Sequence, residues 1–105
     1  MNIRVKAFAT FRDVMDKEID LTIAENTTIS DLLDDLMIQY PGFEDMAFER
    51  PGVPKKFVDI LHNGRNIQFI KGIDTPLSEG DLITLFPPVG GGWRVTQQDS
   101  QVRRL

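Results

Sequence analysis

Leu82-Ile83-Thr84-Leu85-Phe86-Pro87-Pro88-Val89-Gly90-Gly91-Gly92 is the stretch that decides how this 105-residue chain is read. Its first five residues put Ile83 and Leu85 on one side and Leu82 and Phe86 on the other, the pattern of a strand. Two prolines end the strand. Three glycines follow, and residues without a β-carbon neither fill a core nor hold a helix. They do make a slender backbone that fits a narrow slot in another protein. Read alone, a glycine run is also a flexible linker; the stiff Phe-Pro-Pro-Val approach favours an arm aimed away from the body. The sequence continues past the glycines, from Trp93 to Leu105.

Working outward, Ile3, Val5, Ala7 and Ala9 alternate with Arg4, Lys6 and Phe8, which predicts a first strand with one buried face. Residues 13–16 read as a polar connection. Ile19, Leu21 and Ile23 alternate with Glu18, Asp20 and Thr22, a second strand close enough to pair with the first as an antiparallel hairpin. Thr28 is a good N-cap and Asp31 a shortened capping-box partner. Ile29, Leu32, Leu33, Leu36, Met37 and Tyr40 then follow helical spacing until Pro41-Gly42. That stripe packs on a sheet, so Leu33 and Met37 read as core. Residues 42–56 read as a long loop pinned by Phe43, Met46 and Phe48. Phe57 to His62 reads as a third strand in a central position. Asn63-Gly64 marks a tight turn, and residues 66–70 a short fourth strand. Turns over 74–77 and 79–81 lead into the strand at 82–86. The order is strand, strand, helix, strand, strand, strand: an α+β roll of about five strands with one main helix on one face. With the helix in the crossover, the first and last strands pair in parallel.

The bulk properties narrow the function. A chain of this length fits one domain. No window approaches a membrane span, and the alternating N-terminus is unlike a signal peptide, so a cytoplasmic location is expected. There is no cysteine, which excludes disulfides and thiolate chemistry. His62, the one histidine, reads as a strand-end residue before the turn, without a ligand or catalytic partner in the local sequence. Residues 1–92 hold fifteen Asp and Glu against nine Lys and Arg. An acidic body argues against a nucleic-acid partner. It suits a basic protein surface, or serves solubility alone.

The residues resemble a known family. Val5-Lys6-Ala7-Phe8-Ala9-Thr10-Phe11-Arg12, Thr28-Ile29-Ser30-Asp31-Leu32-Leu33, Asn63-Gly64-Arg65-Asn66-Ile67 and, most specifically, Pro76 through Gly91 look like the small subunit of molybdopterin synthase, within the ubiquitin-like sulfur-carrier family of β-grasp fold. The resemblance covers residues 1–92 and implies a β-grasp domain over 1–89, a glycine arm over 90–92 and a disordered extension over 93–105. It further implies a sulfur carrier for molybdenum or tungsten cofactor biosynthesis. In that family the terminal glycine carboxylate is adenylated by a ubiquitin-activating-like enzyme, which uses ATP and magnesium. Sulfur then replaces AMP to give a thiocarboxylate. The large synthase subunit takes in the glycine tail and supplies the catalytic groups. The chain itself would be an accessory sulfur-donating subunit and protein substrate, with no catalytic constellation and no bound cofactor or metal of its own.

An internal peptide carbonyl cannot be adenylated, so a processing protease is a further expected partner. Gly91 becomes the reactive terminus if Gly90-Gly91 is the working pair, and Gly92 if Gly91-Gly92 is. Phe8, Leu82, Phe86, Pro87, Pro88, Val89 and Gly90 are the expected partner-binding residues. Phe8 and Phe86 lie opposite the core-facing residues of their strands; adjacent, they form an aromatic patch beside the glycine exit, and apart they are ordinary exposed aromatics. The prolines either end the strand or stiffen the spacer. Arg12, Lys55, Lys56, Arg65 and Lys71 read as solvated surface. Trp93 to Leu105 reads as an inert tail, a mask over an apolar patch or a protease recognition segment. Other readings of the same features are a ubiquitin-like protein modifier, a sulfur donor for thiamine, cysteine or tRNA thiolation, and an interaction module that transfers nothing.

Overall fold

Ile3, Val5 and Ala7 are buried while Asn2 and Arg4 are exposed, and this alternation sets the first strand, β1 (Asn2–Ala7). In the computed structural model, which describes residues 1–88, β1 pairs antiparallel with β2 (Glu18–Thr22), with Val5 opposite Ile19. On its other side it pairs in parallel with β7 (Leu82–Phe86), with Val5 opposite Ile83. β5 (Asp59–His62) joins β7 antiparallel, and β6 (Arg65–Asn66) closes the edge. The sheet order is β2-β1-β7-β5-β6. The parallel first and last strands and the β1–β2 hairpin agree with the sequence reading.

The main helix, α1 (Ile29–Gln39), begins as the sequence predicts. The Thr28 hydroxyl accepts from the Asp31 backbone N–H at 3.3 Å, and the Thr28 backbone N–H donates to Asp31 Oδ2 at 3.0 Å. Such a cap stabilises a helix by about 0.5–2 kcal/mol. Ile29, Leu32, Leu33 and Leu36 are buried against the sheet residues Ile3, Val5, Ile83 and Leu85; Met37 is half-buried beside them. Phe11, Phe43 and Phe48 fill the end of this layer, with ring centroids 5.3 Å apart for the first pair and 6.2 Å for the second.

Four local expectations are corrected. β1 stops at Ala7 rather than Ala9, because Ala9 takes a left-handed φ of 51° and a 3₁₀ turn follows over Ala9–Asp13. Pro41-Gly42 ends α1 but also starts α2 (Pro41–Ala47), since proline suits the first turn of a helix. Gly42 is required there by close packing: a β-carbon would sit 2.8 Å from Val14 Cγ1. The expected loop also contains a two-stranded ribbon, β3 (Phe48–Arg50) with β4 (Val53–Pro54). The third core strand starts at Asp59, because Lys55 to Val58 close a turn through Val58 N–H and Lys55 C=O at 3.1 Å, leaving Phe57 outside the ladder. The fourth strand is two residues long. Its Asn66 side chain accepts from Gln68 N–H at 2.9 Å and diverts the backbone into a 3₁₀ turn over Ile67–Phe69. Asn63 and Gly64, with φ of 50° and 87°, make the tight β5–β6 turn that the sequence predicts.

Candidate functional site

Two parallel strands that end together bring two distant aromatic residues side by side. Ala7 is opposite Leu85 in the register, and the Phe8 backbone N–H donates to Leu85 C=O at 3.1 Å, one residue beyond the end of β1. Phe8 and Phe86 consequently stack, with ring centroids 4.7 Å apart and planes at 21°. Both are half-buried. They stand on the sheet face opposite α1, since Ala7 and Leu85 point into the core. The same face carries Thr84 and, across β5, Leu61 and Asp59, which are opposite Thr84 and Phe86.

The stack is held from one side by Arg12. Its Nε–H donates to Ala7 C=O at 2.9 Å, and its guanidinium carbon lies 5.2 Å from the centroid of the Phe8 ring. The sequence reading gave Arg12 no role, and its spacing from Phe8 offered no periodic signal because a 3₁₀ turn joins them. Leu61 was missed as well; only the strand register places it on this face. Farther along, the charges of β1 and β2 are internally balanced. Arg4 Nε pairs with Asp20 Oδ1 at 2.8 Å, and Lys6 with Glu18 at 3.9 Å. What this face offers a partner near the end of β7 is therefore aromatic area rather than net charge.

The expected partner-binding residues fall into four groups. Phe8 and Phe86 are brought together. Leu82 shares their face but lies four residues back along β7, about 13 Å away at the usual rise per residue. There it lines a cleft of ≈ 580 Å³ with Arg4, Lys6, Asp20, Leu21 and Gly80. Pro87 is buried and Pro88 half-buried. The fourth group, Val89 and Gly90, lies outside the described residues, as do the candidate reactive residues Gly91 and Gly92 and the extension over 93–105.

At the opposite end of β7 the chemistry is polar and enclosed. Asp81 is 6% exposed. It accepts from Asn63 Nδ2 at 3.0 Å, from Ser78 N–H at 2.7 Å and from His62 Nε2 at 2.7 Å. Burial alone raises a carboxyl pKa, but the hydrogen bonds from Asn63, His62 and Ser78 outweigh it and hold Asp81 below its ordinary value. An ionised carboxylate only accepts, so His62 carries its proton on Nε2. His62 thus has a partner that its local sequence did not reveal, and the pair ties the β5–β6 turn to the start of β7.

Comparison with known proteins places this geometry. The family model described as the ThiS family matches residues 5–92. A curated relative, small archaeal modifier protein 3 of Haloferax volcanii, is 37% identical over 93 residues, covering 88% of this chain and all of the relative. The sulfur carrier protein CysO of Mycobacterium tuberculosis is 31% identical over 71 residues, 66% of this chain and 76% of the relative. A solved structure from Pyrococcus furiosus, described as a candidate molybdopterin converting factor subunit 1, superposes with a TM-score of 0.69 at 28% identity, over 85% of this chain and 99% of the other. The chain belongs to the ThiS family of ubiquitin-like, β-grasp proteins. It is a ubiquitin-like sulfur carrier in type. Among the described residues, no helix is long and apolar enough to cross a membrane.

Proposed function

We propose that this chain carries sulfur for molybdopterin synthesis in the cytoplasm. The observation that carries the reading is the half-buried Phe8–Phe86 stack at the shared end of β1 and β7, one residue before Pro87-Pro88-Val89-Gly90-Gly91-Gly92. A partner that grips this stack has the first glycine four residues further along the chain from Phe86. The likeness to the molybdopterin converting factor structure supports the choice of pathway.

The chemistry follows from the activated group. Removal of residues after Gly91 or Gly92 frees a main-chain carboxylate. Its oxygen attacks the α-phosphorus of ATP, and pyrophosphate leaves with magnesium on the activating enzyme. The resulting acyl-adenylate is a good electrophile, whereas the carboxylate is not. Hydrosulfide supplied by the activating system adds to that carbonyl carbon and AMP leaves, giving a thiocarboxylate. The large synthase subunit then admits the glycines; the thiocarboxylate sulfur bonds to the pterin precursor, and water attacks the acyl carbon, breaking its C–S bond and returning the glycine carboxylate. Glycine suits the passage because it adds no side-chain width. This chain contributes the carrier carbonyl and the docking face; ATP and magnesium belong to its partner.

The experiment compares the full chain with forms ending at Gly91 and at Gly92. Each is incubated with an activating enzyme, ATP, magnesium and a sulfur source, then weighed by intact-protein mass spectrometry. One trimmed form is expected to gain the mass difference of sulfur for oxygen and to support synthesis of molybdopterin by the large subunit. A full-length chain that supports synthesis untrimmed overturns the reading. The Haloferax volcanii match favours a second reading, a protein modifier joined through the same glycine to lysine. Glycine-terminated remnants on lysines of other proteins, in cells expressing the trimmed form, would identify it.

A further inference from the structure

The core accounts for most large apolar side chains, but Phe57 and Phe69 are 56% and 72% exposed. Their sequence neighbours Lys56, Val58 and Gln68 line a cleft of ≈ 320 Å³ beside β5 and β6. Val58, Ile60, Ile67 and Ile73 supply its apolar lining, with Lys55 and Lys56 on the same wall. Lys56 Nζ lies 5.7 Å from the centroid of the Phe57 ring. Lys71 is exposed and precedes Gly72 of the lining; Arg65 is exposed and donates to Phe69 C=O at 3.0 Å.

The charge here runs against the rest of the body. Residues 54–73 hold Lys55, Lys56, Arg65 and Lys71 against Asp59 alone. Asp59 is engaged by Asn66 Nδ2 at 3.3 Å. The remainder of residues 1–92 holds five Lys or Arg against fourteen Asp or Glu. A concentrated positive field on an acidic domain attracts acidic groups over several ångströms. A cleft near the lower limit of ligand pockets takes one or two aliphatic side chains rather than a whole metabolite. Ile60 points to the helix-covered side of the sheet, opposite Leu85, whereas Phe86 stands on the other side. Neither Phe8 nor Phe86 lines the cleft, so the cleft and the stack are separate surfaces.

We propose that the Lys55–Lys56 cleft is a docking site for an acidic segment of a second partner protein, which seats aliphatic side chains on Val58, Ile60, Ile67 and Ile73. Acidic residues on either side of those aliphatic groups meet the lysines. A protein segment is favoured over a nucleic acid because the lining is aliphatic and the four cations sit on a domain whose remaining charge repels a phosphate chain. Because the two surfaces share no lining residue, the carrier can be gripped at its arm while a second protein is held at the cleft.

The test uses the full ¹⁵N-labelled chain and a synthetic ten-residue peptide with a leucine–isoleucine centre and aspartate flanks. Saturable amide shifts are expected at Lys55, Lys56, Val58, Ile67, Phe69 and Ile73, with Phe8 and Phe86 unmoved. Affinity should fall as salt rises, and the double substitution Lys55→Glu, Lys56→Glu should weaken binding at least tenfold while the remaining spectrum keeps its dispersion. The single substitution Phe69→Ser is a second variant, expected to weaken binding without any change of charge. No saturable shift, equal binding by a lysine-flanked peptide, or unchanged affinity in both variants overturns the proposal. So does displacement of the peptide by a ten-nucleotide single-stranded RNA, or appearance of the same shifts on concentrating the chain alone, which would make the cleft a contact between copies. Sulfur loading of the trimmed glycine is read separately, so loss of one result leaves the other standing.

Discussion

The two ends of β7 contrast. At its start, Asp81 is enclosed and accepts three hydrogen bonds, so every donor aimed at it is satisfied and the turn before the strand is locked. At its end, Phe86 is half-buried and stacks on Phe8 with Arg12 behind, leaving ring surface open. One strand thus anchors the fold by polar closure and presents an unfinished apolar contact a few residues later. Residues that hold a fold and residues that wait for a partner differ in whether their interactions are already complete.

That contrast can be broken most sharply at Phe86. Phe86→Ala should cost about 2–4 kcal/mol of binding to the proposed partner, the large synthase subunit, roughly 30- to 700-fold in affinity. Isothermal titration checks this, and the circular dichroism spectrum should remain that of the folded chain. At the other end, Asp81→Asn should leave that affinity unchanged and lower unfolding stability by about 1–3 kcal/mol, because three hydrogen-bond donors then face an amide whose single oxygen cannot satisfy them all. Urea denaturation measures it; a lost affinity with full stability would reverse the assignment of the two ends. Arg12→Ala should be milder, weakening partner binding by about 0.5–1 kcal/mol as Phe8 loses its cation and its tether. The smallest effect is in acid. Asp81 has a folded-state pKa below its ordinary 3.8, so its contribution is complete above that value and drains away as pH falls through it towards the lower folded value. Stability of the parent chain should therefore fall more steeply than that of Asp81→Asn below about pH 4.

The sheet and the main helix were legible because their signals are local and regular. Val5 and Ile83 follow period 2, and Thr28 with Asp31 marks the start of a 3.6-period stripe. The parallel pairing of β1 with β7 was legible too, from the helix between them. What escaped depended on distant contacts. Asp81 becomes a partner of His62 only because Asn63-Gly64 turns β5 back beside β7. Arg12 reaches Phe8 only because Ala9 takes a left-handed conformation. Residues 41–56 lacked a long periodic run, so a two-turn helix and a two-residue ribbon strand were indistinguishable from loop. Phe8 and Phe86 were named from alternation alone; their stack needed the register.

The placement of β7 between β1 and β5 sets a schedule for the newborn polypeptide. The two outer pairs of strands share no ladder until residues 82–86 have been made, because this last-made strand is the seam joining both halves. Ribosomal products that stop short of Leu82 consequently expose the unpaired edges of both halves, which makes them ready substrates for chaperones and proteases. A carrier built this way cannot display its arm before its own sheet is whole, so quality control of the fold precedes any loading of cargo.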